Sequence, residues 1–180
     1  MKGRVEQNSS MYRRLRLLNL GYSIGIALIV VGLVFTLWFQ GIQIADSGMA
    51  PTLRQGDIVL FDKLAKHVST PCRGDAYAFR QDGGGVSIGR VVGLPGETVL
   101  IQEGAVYING AYLDESAYAI PGSQSLSPFT LGQDEFLLLP DDRTSTSLEA
   151  EVMTIHFADL LGRAALRVSP WNRIALFTPY

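Results

Sequence analysis

At 180 residues the chain has room for one domain plus a membrane anchor, and the domain left after the anchor is long enough to bury its own core. The net charge of -2 divides unevenly: Lys2, Arg4, Arg13, Arg14 and Arg16 against Glu6 give the first sixteen residues +4, leaving -6 for the rest. An acidic domain without basic clusters argues against nucleic acid as a partner, and a single cysteine, Cys72, excludes an intramolecular disulfide. There is no second Cys and no His cluster at metal-ligand spacing, so no metal or other cofactor is expected. Cys72 reads as a small, partly buried side chain rather than a reactive thiol.

From Leu17 to Phe39 there are 23 residues without a charge. At about 1.5 Å per residue they cross a hydrocarbon core roughly 30 Å thick, so the segment reads as a transmembrane helix. The basic residues before it predict a single-pass protein of the cell membrane. Residues 1–16 form the cytoplasmic tail, 17–39 the span and 40–180 an extracytoplasmic domain. Trp38 and Tyr22 suit the two interfaces. A cleavable secretory signal would need a shorter apolar region, about 7–15 residues, and a small-x-small exit. Gly21, Gly25 and Gly32 read as the ordinary glycine content of such a helix.

From Ile44 onward the residues have strand chemistry. Asp57 to Phe61 is rich in β-branched and large apolar residues and follows a Gln55-Gly56 turn. Ala76 to Arg80 alternates and ends at Asp82-Gly83-Gly84-Gly85, after which Val86 to Val92 reads as its hairpin partner. Thr98 to Gln102 and Ala105 to Ile108 flank a Glu103-Gly104 turn, and Asn109-Gly110 precedes Tyr112-Leu113. Pro121 to Pro128 is expected as a loop. Phe136 to Leu139 and Leu166-Arg167-Val168 add two strands, and Val152 to Leu161 has room for a short helix. Short strands with turn signals at intervals of about ten residues predict a mainly β fold, a partly closed β-barrel rather than a flat sandwich.

The stretch after the span, Met49-Ala50-Pro51-Thr52-Leu53, resembles the Ser-Met-x-Pro-Thr-Leu box of type I signal peptidases. Further segments follow in the family's order. Gly56-Asp57-Ile58-Val59 with Lys63 is similar to its Gly-Asp-x-Val strand and downstream Lys. Arg90 to Glu97 is similar to its Lys-Arg-Val-Val-Gly-Leu-Pro-Gly-Asp box, and Tyr107-Ile108-Asn109-Gly110 to the hairpin after it. Pro140-Asp141-Asp142-Arg143 stands where the family has Gly-Asp-Asn-Arg, and Leu161-Gly162-Arg163-Ala164 with Ser169-Pro170 resembles its C-terminal strand. The single anchor and short form look most like the Gram-positive branch. The resemblance implies the signal-peptidase barrel and a serine endopeptidase ancestry in the peptidase S26 family.

In that family a serine hydroxyl attacks the peptide carbonyl, and a lysine desolvated enough to be neutral takes its proton. Gly48 occupies the nucleophile position here and Gly89 the general-base position. Arg90 cannot replace the lysine, because a guanidinium stays protonated. Ser47 is the candidate for a displaced nucleophile, although in an extended segment a one-residue shift turns the side chain to the other face. Lys63, Lys66 in an expected loop, His67 and His156 read as surface or core-edge residues. Thr146 to Ala150 replaces the family's Ser-x-Asp-Ser-Arg network that orients the lysine, a third departure.

The resemblance therefore implies a degenerate homologue, similar to family members without Ser and Lys that act like chaperones beside sortase-built pili. Peptide docking by strand addition needs no catalytic side chain. The expected peptide-binding residues are Ile44, Asp46, Ser47, Met49, Ala50, Ile88 and Arg90, on the segments Ile44 to Ala50 and Val86 to Val91. The implied partners are the membrane and an exported polypeptide such as a pilin subunit. The alternatives are an active signal peptidase using Ser47, and a structural subunit of an active signal peptidase paralogue.

Overall fold

The computed structural model describes residues 2–81, 83–144 and 153–177, with backbone alone for residues 2–15 and 153. It divides into two compact units, Met1–Trp38 and Phe39–Tyr180. The first is a single helix, α1 (Lys2–Trp38), whose part Arg16–Trp38 is long and apolar enough to cross a membrane. It ends one residue before the expected Phe39, which opens a strand.

The second unit is mainly β. Its larger sheet curls into a half-barrel and is built from β1 (Phe39–Gln43), β2 (Ile58–Asp62), β3 (Ala76–Arg80), β4 (Val86–Gly93), β9 (Glu135–Leu139), β10 (Met153–His156), β11 (Leu160–Ser169) and β12 (Ala175–Leu176). The smaller holds β5 (Thr98–Gln102), β6 (Ala105–Ile108), β7 (Ala111–Tyr112) and β8 (Leu126–Thr130). The larger sheet runs β1-β2-β11-β3-β4-β9-β10, with β12 against β11, and the smaller runs β7-β6-β5-β8. All described strand pairs are antiparallel, as tight Gly-containing turns permit. At the Glu103-Gly104 turn, Gly104 has φ of +81° and a Cβ there would lie 1.9 Å from the Gly122 oxygen, so only glycine fits.

Around β3, β9 and the second half of β4 the larger sheet is buried on both faces. Along β3, Ala76 and Ala78 join a cluster with Met49, Leu53, Val59 and Phe61. Tyr77 and Phe79 face the other way, toward Val91, Phe136, Leu138 and Leu160. A third cluster, including Val92, Val99, Ile101 and Leu137, joins the two sheets.

Four local expectations need correction. Val152 to Leu161 contains no helix of the expected kind among its described residues: Met153–His156 pairs with β9, Phe157–Asp159 is a 3-10 turn, and Leu160 opens β11. Ile155 packs against the Phe136 cluster, a contact that favours β-branched strand pairing over helix. The loop expected over Pro121 to Pro128 gives way to β8 at Leu126, where Pro128 is tolerated because β8 is an edge strand. Lys66 lies on a one-turn helix, α2 (Ala65–Val68), and its ammonium donates to the Leu160 and Ala158 oxygens. Cys72 is exposed, since only its N–H is drawn inward, to the Asp75 carboxylate at 3.1 Å.

One buried ion pair fastens distant parts of this unit. The Arg90 guanidinium donates to both Asp141 oxygens, Nε at 2.7 Å and Nη2 at 2.6 Å. It also donates to the Gly74 oxygen at 2.7 Å and the Thr52 hydroxyl at 3.1 Å, and stacks 4.2 Å from the Tyr118 ring centroid. Arg90 is 3% exposed and Asp141 0%. A second bidentate pair, Arg143 on Glu115 at 2.8 and 2.6 Å, holds the segment just beyond. Burial, with the Glu115 charge adding to it, pushes the Tyr118 hydroxyl up to about 12, so the ring stays neutral against the guanidinium.

Removing one member of such a pair leaves an uncompensated buried charge. Asp141→Ala is expected to lower stability by about 3–5 kcal/mol, read as a fall in denaturation midpoint of the detergent-solubilised chain. Tyr77 offers the opposite case, because its hydroxyl is buried with no hydrogen-bond partner. Tyr77→Phe should leave stability unchanged or raise it by roughly 1 kcal/mol in the same measurement.

Candidate functional site

The segment carrying the box is a turn, not the extended run expected from Ile44 to Ala50. The Gly48 N–H donates to the Asp46 carboxylate at 2.8 Å, Ala50 N–H to the Ser47 oxygen at 2.9 Å, and Leu53 N–H to the Met49 oxygen at 2.7 Å. An aspartate bonding the main chain two residues on is a standard turn device. The face-alternation argument for Ser47 therefore does not apply, and Ser47 lies exposed at the turn. Ile44 and Met49 are buried at 3% and 1%, Ala50 is half-buried and Asp46 exposed.

The two glycines converge on one face of β9. A Cβ at Gly48 would lie 3.7 Å from the Pro140 Cβ, and a Cβ at Gly89 would lie 3.1 Å from the Leu138 Cβ. Leu138 and Pro140 are two residues apart, so they share a face at a separation of roughly 7 Å. The Asp142 N–H donates to the Gly48 oxygen at 2.9 Å, fixing the turn to the chain just after β9. Both positions thus lie along the chain from Leu138 to Pro140, and glycine supplies neither hydroxyl nor amine at either.

The space beside Gly89 is closed by protein. Its Cβ position is also 3.4 Å from Phe79 Cε1, and Tyr77 stands directly across from it on β3. At Gly48 the near neighbour is different, the Asp46 Oδ1 at 3.2 Å, which belongs to an exposed side chain. Thr146 to Ala150, the third expected departure, lies outside the described residues. Burial pushes the Tyr77 hydroxyl up to about 12, which removes it as a base near neutral pH. His67 and His156 are exposed.

Beside this point the edge of β4 is open. β9 pairs with β4 only at Arg90, Val91 and Gly93, and Val86 to Gly89 have β3 on one side and no described strand on the other. β9 ends at Leu139, opposite Arg90, and the chain leaves β4 at Pro140. Gln81 N–H donates to the Gly85 oxygen and Val91 N–H to the Asp75 oxygen. By antiparallel alternation those bonds put Ser87 and Gly89 in hydrogen-bonded pairs with β3 and turn the main-chain groups of Val86 and Ile88 outward. Ile88 packs its side chain on the Ile44 and Met49 cluster. Of the expected peptide-binding residues, Ile44, Met49 and Ile88 come together and Asp46, Ser47 and Ala50 lie on the adjoining turn. Arg90 points inward to Asp141.

The description "signal peptidase, peptidase S26" matches residues 17–169. A probable signal peptidase I from Synechocystis is 30% identical over 168 residues, covering 89% of this chain and 77% of the relative. A Staphylococcus aureus chain named inactive signal peptidase IA is 23% identical over 159 residues, 84% of this chain and 91% of that one. A crystal structure of a signal peptidase I from Enterococcus faecalis overlaps 53% of this chain and 97% of its own, at 25% identity and a TM-score of 0.45. The apolar helix and these relatives point to membrane anchoring. By the match over most of its length, the chain belongs to the signal peptidase, peptidase S26 family.

Proposed function

We propose that this chain is a membrane-anchored signal peptidase homologue that binds an exported polypeptide without cutting it and assists its processing or assembly. Its N-terminus lies in the cytoplasm and its β unit outside. The observation that carries this reading is the open β4 edge at Val86 to Gly89, placed beside a box turn whose nucleophile position is glycine. A peptide adding as a strand there bonds to the outward main-chain groups of Val86 and Ile88. Apolar side chains of the peptide would face the cluster of Ile44, Met49 and Ile88. The packing around Gly89 supports loss of the base, since a lysine there must displace Leu138. The inactive designation of the Staphylococcus aureus relative is in keeping with it. A pilin subunit is the exported polypeptide to test first.

The rival is an active enzyme with Ser47 as nucleophile, favoured by the exposure of Ser47 on the turn next to Gly48. Full-length protein in liposomes, given a preprotein, is expected to yield no mature product. Cleavage at the signal junction that disappears in Ser47→Ala would establish the rival instead. In cells, a photoreactive residue at Val86 should crosslink to an exported subunit, whereas capture of an active signal peptidase alone would favour a structural subunit. The double variant Gly48→Ser with Gly89→Lys is expected to regain little cleavage in the liposome assay. Recovery to near the rate of an active family member would show that Leu138 and Phe79 yield easily.

A further inference from the structure

The open edge of β4 has a definite end. β9 reaches β4 no further than the pair of Leu139 with Arg90, so a strand added along Val86 to Gly89 lies in the line of β9. One of its residues then stands opposite Ile88 and the next opposite Gly89. Directly paired residues share a face, and successive residues take opposite faces. The residue opposite Ile88 therefore faces the side that holds Ile44, Met49 and Ala78. Its neighbour opposite Gly89 faces the side of Leu138, which leads on to Pro140 and the Gly48 turn.

That second position has charge beside it. Asp46 Oδ1 lies 3.2 Å and Pro140 Cβ 3.7 Å from the Gly48 Cβ position, so the exposed Asp46 carboxylate stands at the Gly89 end of the edge. Asp142 is tied to the same turn by its N–H on the Gly48 oxygen. Hydrogen bonds from the Thr144 hydroxyl and N–H keep the Asp142 carboxyl below the usual carboxylate range. No ion pair among the described residues engages either acid, and the nearest cation on β4, Arg90, is buried against Asp141. At the far end the exposed Arg80 stands across from Val86. A cation on an added strand is drawn toward Gly89 and away from Val86, which is how charge complementarity fixes register.

We propose that the exported polypeptide is recognised at this edge through an apolar residue with a lysine or arginine directly next to it, the apolar side chain opposite Ile88 and the basic one opposite Gly89 beside Asp46. The inference rests on the reading of the chain as a binder of exported polypeptide. The unpaired main chain of β4 makes the site, and the charge selects its occupant. Asp46 is the specificity-determining residue of the groove.

The test uses the full-length chain in detergent, with a photoreactive residue at Val86 and short peptides blocked at both ends that carry Val-Lys or Lys-Val among threonines. One of the two orders is expected to be captured at a concentration roughly three- to fivefold lower than its Gln counterpart, the size of an exposed ion pair, and high salt should shrink the advantage. Asp46→Asn keeps an oxygen for the Gly48 N–H, so the turn stands, and it should remove most of the advantage. Asp46→Lys should transfer it to the matching Glu peptides. A Val-Thr-Lys peptide, which puts both side chains on one face, should be captured no better than the Gln peptides. Equal capture of Lys, Gln and Glu peptides, or an advantage unchanged in Asp46→Asn, overturns the inference and leaves the binding reading standing. Capture of none of these peptides overturns both.

Discussion

The buried pair of Arg90 and Asp141 is the constraint on which the site region depends. Through Thr52, Gly74 and Asp141, one guanidinium joins the box turn, the entry to β3 and the chain leaving β9. The residues around Asp141 extend the joint, since Ile120 N–H donates to the Asp141 oxygen and Asp142 N–H to Gly48. Two buried charges carry a desolvation penalty of several kcal/mol each, which only such complete pairing and hydrogen bonding offsets. None of these contacts uses a hydroxyl at position 48 or an amine at position 89. The frame of the site is therefore independent of side chains at positions 48 and 89, and glycine at both leaves the box turn and β4 in place.

What the frame leaves open is set by where β9 ends. β9 follows β4 as far as Leu139, and the chain then leaves it at Pro140. The chain instead turns through Asp141 to Asp142, where a hydrogen bond brings in Gly48. A free strand edge and the box turn thus arise from the same interruption. An exposed edge invites pairing, and here it is short and set beside apolar side chains that could read a peptide.

The sequence disclosed the fold through its turns and alternation. Hairpins at Glu103-Gly104 and around Gly83 to Gly85 stand where glycine and small polar residues break apolar runs. β1 stayed hidden because Phe39 continues the apolar run of the helix, so no composition change marks the boundary. β8 stayed hidden because its Pro128 and serines read as loop, and only pairing with β5 makes it a strand. The turn at Asp46 to Leu53 depends partly on Asp142, almost a hundred residues away, which local pattern cannot show. Arg90 shares a face of β4 with Ile88, and its capture by Asp141, 51 residues on, is beyond what local pattern can show. The placement of Gly48 and Gly89 along one stretch of chain was legible only through the family resemblance, since nothing local links two glycines forty residues apart.

Gly48 and Gly89 differ in the room around them. At position 48 the obstacle to a side chain is an exposed carboxylate, which can swing away at small cost, and Pro140 stands at ordinary contact distance. At position 89 the obstacle is Leu138 Cβ, a rigid part of a strand in a fully buried cluster, with Phe79 behind it. Close-packed interiors resist added volume, typically by about 1–3 kcal/mol for an overpacked site. A side chain at position 48 needs only the exposed Asp46 carboxylate to move, whereas one at position 89 needs Leu138, within the core, to give by a few tenths of an ångström. Position 89, more than position 48, is where the packing itself resists an added side chain.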